Sequence, residues 1–410
     1  MVLSHTPRTL AQTLNRTFQL YKEAYSGHPP AIWTLACITL INRAGTMVIP
    51  FLSVYLTTIL GFKLEVAGLI ASGFGAGSMA GAYLGGKFSD RFGARWVIFA
   101  SLLMGGVFFI GLQWVVHPIA IWIMIFLTTT FGEAYRPAYS VSVGYFVPKE
   151  KTGRTMAFLR LAVNLGMSLA PAIGGFLAVN YGYVYLFWVE GITGITASFV
   201  FLYLSRNWPI TRTEKTEETE QSLAESPFRS RDFLLLLVTT FFISFVFLQW
   251  FHTVPVFIKT VWHFDERYIG LMMGISSAII TLIEMPVIHS LEERGKNFQA
   301  MRIGLVFIVV SYAMFYFPGA WIVGVIAIVI WTFGEMLFLP LLNSSALKLS
   351  PDKNRGNYMA VYYMAWSLSN ILAPTLGFWI IGLLGFNAFW LLLLGFGALA
   401  FLANDRIGRA

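Results

Sequence analysis

Apolar residues fill most of this chain in long uninterrupted runs, near 32–58, 66–86, 95–115, 120–147, 155–178, 184–205, 233–258, 268–290, 299–317, 320–347, 357–383 and 388–403. About 20 residues at 1.5 Å each carry a helix across a bilayer, so the pattern predicts twelve transmembrane helices and no strands. The last run is the shortest. Between 206 and 232 the pattern breaks at Thr213-Glu214-Lys215-Thr216-Glu217-Glu218-Thr219-Glu220, which reads as a solvated linker. The expected organisation is a segment 1–30, a six-helix bundle 31–205, the linker 206–232, a second six-helix bundle 233–403 and a tail 404–410. Residues 1–30 lack the apolar core of a cleavable signal, and Leu14, Phe18, Leu20 and Tyr21 among Arg16 and Lys22 suit either an interfacial helix or a loose tail.

Composition agrees: 57% of residues are hydrophobic and 12% charged, more apolar surface than a soluble fold this size buries. The net charge of +8 lies in loops. Lys87, Arg91, Arg95, Lys149, Lys151, Arg154, Arg294, Lys296, Lys348, Lys353 and Arg355 fall on one side, against Lys63, Lys259 and Arg267 on the other. That asymmetry places both termini in the cytoplasm, and the expected setting is a bacterial inner membrane. No basic stripe marks nucleic-acid binding. A lone Cys37 excludes a disulfide within the chain, and the six histidines lack metal-ligand spacing. The expected partners are membrane lipids, a small-molecule substrate and protons, with the chain acting as a monomer and no cofactor beyond the proton gradient.

Two triplets stand out, Phe131-Gly132-Glu133 and Phe333-Gly334-Glu335, each after a threonine, midway along an apolar run, and before Pro137 or Pro340. A carboxylate at the bilayer centre costs about 2.5–3.5 kcal/mol on insertion scales, so its repetition points to function, here proton carriage. The repeat extends further. Pro148, Gly153, Met156-Ala157, Leu169-Ala170-Pro171 and Gly174 recur 203 positions later as Pro351, Gly356, Met359-Ala360, Leu372-Ala373-Pro374 and Gly377. Parallel six-helix repeats place a substrate site at midplane between the halves.

Gly86-Lys87-Phe88-Ser89-Asp90-Arg91-Phe92-Gly93-Ala94-Arg95 closely resembles the loop 2–3 signature of the major facilitator superfamily, departing at Ala94, where a basic residue is usual. The resemblance implies that Asp90 is tied to charges and helix ends across the domain interface and helps to hold the outward-facing state, with Gly86, Arg91, Gly93 and Arg95 as companions. A worn copy, Leu291-Glu292-Glu293-Arg294-Gly295-Lys296, puts Glu292 in the aspartate's place, unless it is a plain solvated cluster. Gly166-Met167-Ser168-Leu169-Ala170-Pro171-Ala172-Ile173-Gly174-Gly175 is similar to the antiporter signature of drug/proton exchangers, with Ala170 for a glycine, whereas Thr128 replaces their fourth-span arginine. Gly334-Glu335-Met336-Leu337-Phe338-Leu339-Pro340 looks like the tenth helix of proton-coupled peptide transporters. Arg136-Pro137 stands for their Lys-Pro and Asn42-Arg43 for their Glu-Arg, but Thr39 and Asn42 replace first-helix carboxylates. The two likenesses imply opposite directions of transport.

In this superfamily spans one, four, seven and ten line the cavity, which implies roles for Arg43, Glu133 with Arg136, Gln249 with His252, and Glu335. Glu133 and Arg136 share a helical face, and Arg43 is expected to pair with Glu133. Tyr55, Tyr135, Tyr139, Asn164 and Trp250 are further candidate substrate contacts. Glu284, two residues before Pro286, is a candidate gate or a local partner; Arg160 extends the basic surface or snorkels; Glu190 lies near a span end and receives no role. Gly73, Gly77, Gly81 and Gly85 make one face for close, sliding helix contact, and Gly166, Ala170, Pro171 and Gly174 another. The expectation is a proton-coupled transporter of a small anionic or zwitterionic molecule. Alternatives are drug/proton antiport, peptide-type symport, or a transporter-like sensor or scaffold. Enzymatic activity is not expected, because no nucleophile stands at readable spacing from a histidine.

Overall fold

The structure, a computed structural model, describes residues 27–208, 226–293, 297–317, 321–351 and 354–407. The expected segment 1–30 and linker 206–232 therefore lie largely outside the described residues, as does the side chain of Glu292.

Among the described residues every regular element is helical, as the unbroken apolar runs require: in hydrocarbon each backbone amide must be satisfied within its own segment. The amino-terminal half comprises α1 (Pro30–Ala44), α2 (Val48–Val54), α3 (Leu64–Phe92), α4 (Ala94–Leu112), α5 (Pro118–Phe146), α6 (Lys149–Asn180) and α7 (Val184–Leu204). The carboxy-terminal half comprises α8 (Arg231–Thr260), α9 (Glu266–Glu293), α10 (Asn297–Ala313), α11 (Trp321–Lys348) and α12 (Arg355–Asp405). Ten of the described stretches are long and apolar enough to cross a membrane. The predicted first span is α1 and α2, interrupted at Gly45–Met47 and ending in a π turn at Tyr55–Ile59. The last two predicted spans form α12, where Gly385 at φ 79°, ψ 171° breaks the helix. Gly93, at φ 85°, ψ 144°, turns α3 into α4 in a conformation that a side chain disfavours, which gives the glycine of the loop signature a backbone reason.

Glycine lets helices meet backbone to backbone in two different ways. Gly73, Gly77, Gly81 and Gly85 face α5, where an added Cβ would strike the main chain at Trp122, Phe126, Thr130 and Ala134. That stripe therefore packs α3 inside its own half, on α5. The opposite face meets the other half: Gly68 lies under Pro374 and Phe378, and Gly75 under Asn370 and Ile371, all on α12. The halves also meet along α6 with α9 and α2 with α8. On α6, Gly166 packs against Arg43 and Ala44 of α1, and Gly174 against Met47 and Phe51. Ala170 is fully buried, while the Pro171 carbonyl meets Gly270 of α9.

Candidate functional site

The interruption after Ala44 frees main-chain groups inside the bundle. The amides of Met47 and Val48 donate to one oxygen, Oε2 of Glu190 on α7, at 3.0 and 2.7 Å. Gly45 sits so close to the Thr193 side chain that any Cβ would overlap it. Glu190 is 6% exposed, and a buried carboxylate without such partners would be strongly disfavoured. Position misled the sequence reading: Glu190 lies six residues into α7, but α7 carries it to the level of the break. The signal was a carboxylate in an apolar run combined with Gly45-Thr46 in another.

Beside this break lies a chamber of about 90 Å³ lined wholly by the amino-terminal half. Arg43, Glu133 and Glu190 supply its charges, and Asn42, Thr46 and Tyr135 are among its polar walls. Arg43 was expected to pair with Glu133. Instead Glu133 Oε2 accepts from Arg136 Nε at 2.8 Å, one turn along α5, and Arg43 faces the chamber within electrostatic reach of both glutamates. Tyr135 shares a 2.8 Å hydrogen bond with Thr39, and Tyr139 packs on its ring.

A second cluster joins the halves. Arg160 of α6 is paired with Glu284 of α9, and Asn164 Nδ2 donates to the other Glu284 oxygen at 3.4 Å. Glu335 on α11 lies within electrostatic reach of both members of that pair. Arg160 thus bridges the halves rather than reaching for the interface, and Glu284 is a bridge rather than a local partner. The duplicated triplets differ in surroundings: Gly334 is packed against Gly304 and Ile308, whereas nothing lies within 4 Å of a Cβ placed on Gly132.

Toward the loops at Gly61, Gly182 and His263 the halves are shut. Glu266, 4% exposed, accepts from Tyr183 Oη across the boundary at 2.7 Å and from Lys259 Nζ at 3.0 Å. Burial and the facing Glu266 carboxylate push the Tyr183 phenol well up, so it stays a donor at physiological pH. Thr375 Oγ1 adds a 3.4 Å contact to the Gly68 carbonyl. Tyr183→Phe removes one hydrogen bond to a charged group, worth about 1.5 kcal/mol or roughly tenfold in the opening equilibrium. The expected result is a roughly tenfold faster thiol labelling of Ala172→Cys, which lies beneath this closure against Gly270 and Gly274.

At the opposite loops Asp90 is exposed and has no ion-pair partner among the described residues. Arg91 is exposed over the Phe92 ring, and nothing crowds Gly86. Arg95 does not reach across the halves; its Nε donates to Ser205 at 3.1 Å and its Nη2 to the Leu202 carbonyl at 3.3 Å, holding the end of α7. Arg95→Ala is expected to cost about 1–2 kcal/mol, read as a lower unfolding temperature with transport kinetics little changed.

Three proposed substrate contacts are packed into the carboxy-terminal bundle instead. Gln249 Nε2 donates to the Phe245 and Ala373 carbonyls, each at 3.1 Å. Trp250 sits among Tyr312, Phe315 and Trp331, and His252 is buried on the same helix. Their apolar neighbours on α8, a span with no charge between Asp232 and Lys259, draw that helix into the core. Tyr55 likewise packs on Tyr183 and Phe187.

Ten long apolar helical stretches among the described residues and the loop signature coincide with a match of residues 35–374 to the profile of the Major Facilitator Superfamily. The chain belongs to this superfamily. It is 23% identical over 368 residues to a Na(+), Li(+), K(+)/H(+) antiporter of Planococcus maritimus, covering 82% of this chain and 85% of the relative. It is 24% identical over 367 residues to a multi-drug resistance efflux pump PmrA homolog of Lactococcus lactis subsp. lactis (strain IL1403), covering 85% and 87%. In three dimensions it resembles the crystal structure of peptide transporter POT in complex with sulfate, with a TM-score of 0.77, 16% identity, and 94% and 96% coverage. This superfamily member is a multi-pass membrane transporter and not an enzyme.

Proposed function

We propose that this transporter is driven by the proton gradient, with Glu335 as the principal proton carrier and the Arg160–Glu284 bridge as its conformational partner. One observation carries the reading: Glu335 lies within electrostatic reach of an ion pair whose members belong to different halves. Charge at Glu335 competes with Glu284 for Arg160, so gaining or losing a proton changes how firmly the halves are tied. Alternating access needs such a differential interaction between its states. Glu133 is the corresponding carboxylate of the other half, held by Arg136.

Both termini are cytoplasmic in this reading, by the asymmetry of loop Lys and Arg, and the membrane is a bacterial inner membrane. The shut face around Glu266 is then external. A small organic anion or zwitterion suits Arg43, Arg136 and Arg160, which repel simple cations. The activities named for the relatives, antiport and efflux, favour exchange against protons over peptide-type symport, since the peptide-transporter likeness bears on fold alone. Proteoliposomes with an internal pH dye test this: addition of organic anions, amphiphilic drugs or dipeptides is expected to drive proton flux with one class. Flux with none of them, alongside uncoupled downhill movement of a substrate, would overturn proton coupling.

A further inference from the structure

We infer that Glu190 is a second proton-binding site, and that its proton releases the clasp across the break in the first span. The inference deepens the proton-coupled reading and rests on it for its consequence in transport, but its structural claim stands on the geometry around α7.

Both main-chain amides freed by the break use Oε2 of Glu190. Its Oε1 has no hydrogen-bond partner among the described residues, and the residue lines the chamber. A buried carboxyl with one oxygen engaged and one facing a polar space is placed to take a proton without a large rearrangement. The chamber's volume of about 90 Å³ holds several waters, each with polar walls to bond to. The groups facing Glu190 are Arg43 from α1 and, across the chamber, Glu133 and Tyr135 from α5; Arg136 pairs with Glu133 from outside the lining, and α4 contributes the Ser101 hydroxyl and no titratable group. Among the described residues lining the chamber Arg43 is the only cation, and it stands within electrostatic reach of both Glu133 and Glu190.

The step balances simply. A proton adds to Oε1, the carboxylate becomes a neutral acid, and the Arg43 charge is left to Glu133. The two amide bonds lose their ionic character, and hydrogen bonds to an ionised acceptor are roughly twice as strong as neutral ones. What they hold is α2, continued by the π turn to Ile59, and α2 is the part of the first span that packs on α8 of the other half. Weakening the clasp therefore loosens the boundary at the shut face. The carboxylate state is the closed arrangement seen; the acid state favours opening there.

The test uses the full chain in lipid, with Cys37 replaced by Ser and spin labels at Ile59→Cys and Val261→Cys, both exposed at the shut face. Inter-label distances are recorded between about pH 5 and 9, the range spanned by ordinary and burial-shifted carboxyls, and infrared difference spectra report protonated carboxyl groups. In the unaltered chain the distance is expected to lengthen as pH falls, in step with one carboxyl band. Glu190→Gln should remove that band and give the longer distance at every pH. Glu190→Asp should keep a titrating band but, being one methylene shorter, fail to reach the amides and also give the longer distance. An unchanged set of bands in Glu190→Gln, or a distance profile like that of the unaltered chain in either variant, would overturn the inference. If Glu190→Gln does not fold, Glu190→Asp and the pH profile of the unaltered chain still decide. Neither readout requires transport, so failure of Glu335 to carry protons leaves these outcomes intact, and their failure leaves the flux assay intact.

Discussion

Glu335→Gln is expected to abolish gradient-driven accumulation of substrate, a loss of about two orders of magnitude on the scale of removing one positioned proton-transfer group. Downhill exchange should survive. Glutamine keeps the shape and hydrogen-bonding capacity of the side chain but fixes its charge at zero, so Arg160 stays with Glu284 at every pH and the bridge no longer responds to protons. The sign follows from the competition. Ionised Glu335 draws on the same guanidinium and loosens the tie, whereas neutral Glu335 leaves the tie whole. Conformational exchange in the unaltered protein should therefore depend on pH through this site, and the variant should lack that component. Proteoliposome accumulation at opposed pH gradients measures the loss. Glu133→Gln should have a smaller effect, because Arg136 already holds that carboxylate at 2.8 Å and is itself largely exposed. Retained accumulation in both variants would remove the proton-carrier assignment.

The second large effect separates two glycine faces on one helix. Gly81→Leu places a side chain against the Thr130 carbonyl inside the amino-terminal bundle. Backbone there has nowhere to move, and overpacking of this kind costs about 3 kcal/mol or more. The variant should unfold at lower temperature and accumulate poorly. Gly75→Leu meets Ile371 N at 2.6 Å and the Asn370 carbonyl carbon at 2.8 Å, both on the other half. Each bundle should stay folded, so thermal unfolding should change little, but the shut face can no longer close. The expected outcome is a protein arrested in the opposite arrangement, with transport lost and labelling of Ala172→Cys accelerated. Equal destabilisation by the two substitutions would refute the division of α3 into a fixed face and a moving face.

Much of this architecture was legible because membrane solvation leaves so few options. Apolar run length marked out the long helices, ten of which among the described residues could cross a membrane. The glutamates were found for the same reason, since a carboxylate in hydrocarbon demands an explanation. What the chain did not reveal was partnership. Arg160 and Glu284 lie 124 residues apart, and no local pattern announces that they meet. Gln249, Trp250 and His252 sit on a span that resembles a cavity-lining helix by order, yet the apolar character of their whole neighbourhood pulls them into the core. The glycine stripe had the right spacing for close packing but said nothing of which neighbour it served, because Gly68 and Gly75 make an equally good seam on the other side. Glu190 was discounted for its place in the run, and its importance depends on a helix interruption three-dimensionally adjacent but 142 residues earlier.

The duplicated Phe-Gly-Glu triplets have parted company in one respect. Beside Gly334 the space is occupied by Ile308 and the Gly304 backbone, while beside Gly132 there is a hollow. Void volume is what pressure acts on, so compression should be taken up beside Gly132 before it is felt beside Gly334, where Ile308 already fills the space.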